Sequence, residues 1–114
     1  MAAGVLDAET ERAARSFLAR LDGRYAVREA IVFGSRARGD FGPESDIDIA
    51  ILLDGPKGSR YRVAGEMGGI AFDVLLEMRV HIDALPFWAD ELNDSTIFSN
   101  PALIKNIQRD GIKL

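Results

Sequence analysis

The sequence predicts an α/β layer fold, with a small β-sheet flanked by helices, and three observations carry that expectation. An N-terminal segment repeats apolar residues at helical spacing. Two strand-like segments follow it, Val27 to Phe33 and Asp46 to Leu53, each ended by a turn residue. A cap-plus-proline helix start, Asn100-Pro101, then opens the C-terminal part of the chain. Alternating helix and strand patterns of this kind lead to layered α/β architectures.

Taken in order, Leu6, Ala13, Ala14, Phe17 and Leu21 form one helical face, while Glu9, Glu11, Arg12, Arg15 and Arg20 form the other. Asp7 is placed to cap that helix and Gly23 to close it. Val27 to Phe33 is rich in β-branched and aromatic residues and stops at Gly34. Gly34 to Ser45 is Gly- and Arg-rich, with room for one helical turn before the Gly42-Pro43 breaker. In Asp46 to Leu53, Ile47, Ile49 and Ile51 alternate with Asp46, Asp48 and Ala50, so both acids project from the same face. Ser59 caps a short helix that the spacing ends at Gly68-Gly69. The apolar stretch Ile70 to Glu77 then reads as a strand, and Val80 to Phe87 as another. Residues 88 to 98 read as irregular. A helix is expected from Pro101 to about Arg109, followed by a terminal segment, Ile112 to Leu114.

Composition narrows the function classes. With 114 residues, 47% apolar and 28% charged, the chain is expected to form one globular domain over 1–114. The longest uninterrupted apolar run, Ile49 to Leu53, is far short of the roughly 20 residues that cross a bilayer, and the opening Met-Ala-Ala-Gly has no secretory pattern. A cytoplasmic location is therefore expected. The absence of cysteine excludes disulfides and thiolate metal sites, and His81 alone cannot build a multi-histidine zinc site. A net charge of −4 offers no bulk attraction to nucleic acid or to an anionic membrane. Any chemistry falls to carboxylates and phosphate-binding groups.

One segment contains both. Gly34-Ser35 follows a strand, where glycine lets a ligand approach the backbone and the N–H groups of a helical turn favour an anion. Ten residues later comes Asp46-Ile47-Asp48, with two carboxylates side by side that repel unless a hard cation such as Mg²⁺ lies between them. Asp73, flanked by Phe72 and Val74, is costly in an apolar strand unless paired or metal-bound, so it is the candidate third acid of a two-metal site. Arg38 and, with less geometric support, Arg36 are candidates to neutralise charge on a polyphosphate. Each piece alone has an ordinary explanation as a plain turn, a solvated strand end or a surface arginine. Gly-Ser followed at this distance by Asp-x-Asp is expected by chance in on the order of one chain per thousand of this length.

The stretch from Ile31 to Glu77, carried by Gly34-Ser35 and Asp46-Ile47-Asp48, resembles the minimal nucleotidyltransferases of the DNA polymerase β-like superfamily. The intervening Arg36-Ala37-Arg38-Gly39 and Ser45 before the first acid fit the same pattern, and Asn100 to Leu114 does so more loosely. The resemblance implies a mixed sheet flanked by helices, Mg²⁺ (two ions are expected), and transfer of a nucleoside monophosphate from an NTP; AMP from ATP, passed to an acceptor hydroxyl, is the expected case. It assigns Gly34 and Ser35 to the triphosphate, Asp46 and Asp48 to the metals, and Asp73 to the third-acid position. The resemblance also implies a partner, a helical HEPN-type toxin, with this chain as antitoxin; that a side-chain hydroxyl of the partner accepts the AMP is expected because the chain has no second domain to enclose a small acceptor. Residues 78 to 114 show no basic groove with interleaved aromatics, so an acceptor site supplied by another chain is expected, with Phe87, Trp88 and the face around Leu103 as docking anchors. The rival reading is a catalytically silent nucleotide-binding or antitoxin subunit that acts by complex formation. A haloacid-dehalogenase-like phosphatase fits poorly, since Ile49-Ala50 follows the acids and no later lysine motif is evident, and a sugar-nucleotide glycosyltransferase would need a longer chain.

Overall fold

A computed structural model describes residues 5–89, 91 and 101–114. Eight elements follow in order: α1 (Ala8–Leu21), β1 (Val27–Phe33), α2 (Ser35–Arg38), β2 (Ile47–Leu53), α3 (Arg60–Met78), β3 (Ile82–Trp88), α4 (Pro101–Asp110) and β4 (Ile112–Lys113). The strands form one mixed sheet in the order β3-β2-β1-β4. β1 runs antiparallel to β2 and β4, and β2 runs parallel to β3.

Helix α1 forms as its periodicity requires. The Asp7 carboxylate accepts the Thr10 N–H at 3.1 Å, and the chain turns out of the helix through Gly23. In the sheet, side-chain alternation divides the core into two layers. Ile47, Ile49, Ile51 and Leu53 of β2 pack with α1 and α3 on one face. Ala50 and Leu52, with Ile31, Phe33 and Phe87, pack under Ile104 and Ile107 of α4 on the other.

The expected strand at 70–77 is not a strand. It is the second half of α3, a single helix of 19 residues. A parallel β2–β3 pair needs a crossover of a dozen or more residues, and α3 supplies it. Val63, Met67, Ile70, Ala71 and Val74 are buried at helical spacing, so packing against the sheet holds the helix through Gly68-Gly69. A short apolar run such as 70–76 fits either period, and the surrounding fold decides between them. The helix ends at Arg79, whose left-handed backbone (φ 62°) lets its N–H reach Leu75 O at 2.8 Å.

Two further expectations are corrected. Phe87 and Trp88 are 1% and 6% exposed and belong to the core, so they are not docking anchors. The segment read as Val80 to Phe87 begins as a strand only at Ile82. Of the stretch 88–98 read as irregular, Trp88 instead ends β3 and Ala89 and Glu91 are helical; the rest of it and the Asn100 cap lie outside the described residues. No helix among those described is long and apolar enough to cross a membrane.

Candidate active site

The site forms where β1 ends and β2 and β3 begin. Antiparallel register sets Phe33 opposite Asp48, so Gly34 leaves β1 directly beside the Asp48 carboxylate. Gly34 has φ 77°, and a Cβ there would overlap Asp48 Oδ2. Position 34 therefore excludes side chains both by backbone conformation and by the acid next to it. Gly34 O accepts the N–H groups of Ala37 and Arg38, at 3.1 and 3.0 Å, closing the single turn of α2. The N–H groups of Ser35 and Arg36, at the start of that turn, have no intrahelical acceptor. The Ser35 hydroxyl makes no hydrogen bond among the described residues.

Parallel register sets Asp48 opposite Asp83. Asp46, Asp48 and Asp83 therefore share the α4-side face of the sheet, at its end. Burial raises the Asp48 pKa to about 6, and the Asp83 and Asp46 carboxylates push it the same way, while Arg38 and His81 oppose them more weakly. Asp46 is exposed, and its carboxylate meets His81 Nδ1 at 3.2 Å. Among the described residues no three potential ligands already converge on one point. An exposed carboxylate such as Asp46 changes rotamer at little cost. The donor set is all hard oxygen and carries mutual repulsion that Arg38 and His81 offset only in part, and the missing Cβ of Gly34 leaves a cradle beside it. These features fit Mg²⁺.

The structure separates the acids that the sequence grouped. Asp73 lies on the solvent face of α3, a helix that packs on the sheet face opposite Asp48. Asp83 occupies the position expected of Asp73. In sequence, Ile82-Asp83-Ala84 is an acid between apolar neighbours much like Phe72-Asp73-Val74; only the β2–β3 register tells them apart.

The two arginines also part. Arg36 is 2% exposed. Its guanidinium donates to Ser45 O at 3.2 and 3.0 Å, to Thr10 Oγ1 at 2.9 Å and to Glu9 at 3.2 Å, and stacks over the Phe41 ring at 4.4 Å. These contacts turn it away from a nucleotide. It ties α2 to α1 and to the loop that delivers Asp46. Arg38 is exposed, bonded to Asp40 at 3.2 Å and 3.5 Å from Asp110, and within electrostatic reach of Asp48. Such surface pairs exchange readily for a phosphate.

The arrangement is thus a mixed α+β sheet with a glycine turn beside three carboxylates at its end, and comparison with known proteins places it in a family. Residues 12–114 match the family model of the nucleotidyltransferase domain. The chain belongs to that family. It is 46% identical over 46 residues to a candidate protein adenylyltransferase of Methanocaldococcus jannaschii, a match covering 39% of this chain and 46% of the relative. The chain thus spans under half of the curated relative it matches. The crystal structure of a candidate nucleotidyltransferase from Sulfolobus solfataricus superposes with a TM-score of 0.55 at 20% identity, over 92% of this chain and 81% of that one, and shows the shared fold.

Proposed function

We propose that this protein transfers AMP from ATP to a hydroxyl on a partner protein, using Mg²⁺. The observation that carries the reading is the part-buried Asp48, held between Asp46 and Asp83 and raised to about 6 beside the Gly34 turn. Asp46, Asp48 and Asp83 would hold the metal, with room in the donor count for two ions. An Mg²⁺ ion held by them would supply positive charge to the triphosphate and polarisation to the phosphorus under attack.

The chain's own groups perform the rest. Gly34 lets phosphate oxygens approach the backbone, and Ser35 offers its hydroxyl and N–H to them. Arg38 exchanges Asp40 and Asp110 for the leaving pyrophosphate and stabilises its growing charge. The acceptor hydroxyl oxygen bonds to the α-phosphorus as the bond from that phosphorus to the bridging oxygen breaks. Asp83, at the exposed rim, takes the hydroxyl proton.

A protein acceptor is supported by the name of the Methanocaldococcus relative. The resemblance to minimal nucleotidyltransferases makes a HEPN-type helical protein the first partner to try, with this chain as its antitoxin in the cytoplasm. The test is co-expression with the product of the neighbouring gene, followed by intact-mass measurement. A gain of one AMP that Asp48→Asn abolishes is expected. The same gain in the Asp48→Asn sample, or turnover of free small-molecule acceptors with the partner unmodified, would reject it.

A further inference from the structure

Helix α3 is apolar on two faces. One packs on the sheet. The other is exposed and carries Tyr61, Phe72 and Leu76 at 92%, 54% and 63% exposure. Gly65, Gly68 and Gly69 lie between them on the same stripe, where a Cβ would meet nothing within 4 Å. A solvent-facing helical glycine costs about 1 kcal/mol relative to alanine, and nothing inside the fold requires these three. An exposed apolar stripe on a helix whose opposite face is already buried marks a contact surface.

The stripe is complementary to itself when reversed. Laid antiparallel on a copy of α3, Gly68 comes level with Gly69, Gly65 with Phe72, and Tyr61 with Leu76. The glycines let two backbones approach at the centre, each Phe72 fills the gap at the partner's Gly65, and Tyr61 covers Leu76. Charge follows the same symmetry. Arg60 and Arg62 occupy the first turn, whereas Asp73 and Glu77 occupy the last turns. On the flank beside the stripe, Arg62 arrives next to Asp73 of the other copy. Arg62 pairs with Glu66 within its own helix at an exposed surface, an interaction readily exchanged, and Asp73 has no partner among the described residues. A two-fold interface demands this relation, in which residue i meets j while j meets i.

We infer that a second copy of this chain covers the outer face of α3, forming an antiparallel α3–α3 homodimer with its two-fold axis between Gly68 and Gly69. The paired helices lie on the far side of the sheet from α4 and leave the Asp48 site open in both copies.

Sedimentation equilibrium of the full chain, from micromolar to sub-millimolar concentration, tests it. The wild type is expected to dimerise. Gly69→Glu is expected to give a folded monomer whose thermal midpoint under dilute conditions is equal to or above wild type, because the substitution improves helix propensity. Arg62→Glu is expected to weaken association by about tenfold or more, and Arg62→Glu with Asp73→Arg to restore it. The chain has no cysteine of its own, so Gly68→Cys is expected to form a disulfide-linked dimer on mild oxidation. A wild type that stays monomeric throughout overturns the inference, whether the face is bare or belongs to another protein. So does a dimer that Gly69→Glu leaves intact, or an Arg62→Glu defect that the charge swap does not repair.

Discussion

Strands β2 and β3 run side by side, and a carboxylate is buried near each end of the pair. Glu91 lies at the end formed by Leu53 and Trp88, and Asp48 at the other. Burial disfavours the charge on both. At Glu91 that penalty is outweighed by Arg60, whose guanidinium donates to it, by the Trp88 N–H at 3.1 Å and by Lys57 at 3.4 Å, so its pKa is lowered. At Asp48 the nearest charges are two further acids, and the pKa rises to about 6. The same strand pair is thus stabilised at one end and electrostatically strained at the other. Burial alone does not set the direction of such a shift; the sign of the neighbouring charge does.

Paired neutralising substitutions would break that comparison most directly. Asp48→Asn is expected to lower metal-dependent transfer by about a hundredfold or more while raising the stability of metal-free protein by about 1 kcal/mol, allowing for screening of a part-exposed carboxylate. Glu91→Gln is expected to do the reverse: stability falls by about 2 kcal/mol because Arg60 and Lys57 lose their counter-charge, and turnover survives at temperatures below the melt. Steady-state assays and thermal melts of the two variants check both signs. Loss of stability in both would mean that Asp48 is a structural acid.

A second test separates the two candidate third acids. Asp83→Asn should depress transfer by an amount comparable to Asp48→Asn, whereas Asp73→Asn should leave kcat within about twofold of wild type. An inactive Asp73→Asn beside an active Asp83→Asn would overturn the register argument.

At the turn, Gly34→Ala should cost about 1–3 kcal/mol of stability through its left-handed backbone and displace Asp48. Ser35→Ala should leave the fold intact and weaken triphosphate binding by about 1–2 kcal/mol. Calorimetric titration with ATP and Mg²⁺ distinguishes them.

The pH profile sharpens the contrast most gently. Asp48 has a folded pKa above its unfolded value of 3.8, so the folded state binds more protons. Its contribution favours folding at low pH and is lost as pH rises from about 4 through 6. Glu91 has a folded pKa below 4.5, so its contribution is present above 4.5 and is lost as pH falls through the lowered value. In metal-free protein, melts of Asp48→Asn and wild type should converge near pH 4 and separate by pH 7. An excess of Mg²⁺ should shrink that gap by neutralising the acids.

Much of the site is legible in the chain because its determinants are local. Gly34, Ser35, Asp46 and Asp48 lie within one strand–turn–strand stretch, where a period of two residues is enough to put both acids on one face. The same holds for α1 and for β2, whose alternating isoleucines define the core face. Asp83 and Arg36 were not legible in this way. A carboxylate between apolar residues occurs at both 73 and 83, and no local signal says which stands beside Asp48. An arginine two residues from another gives no sign of which is buried.

Secondary structure with clear periodicity, the Gly34-Ser35 turn and the pairing of Asp46 with Asp48 on one face are readable along the chain, because each depends on neighbours a few residues away. Long-range packing was needed to make 60–78 one helix, to set Asp83 rather than Asp73 on the acidic face, and to bury Arg36 against α1 and the loop before Asp46. Those outcomes depend on contacts between segments far apart in the chain. The parallel pairing of β2 with β3 requires a crossover, the crossover converts an ambiguous apolar run into helix, and the resulting register sets Asp83 against Asp48.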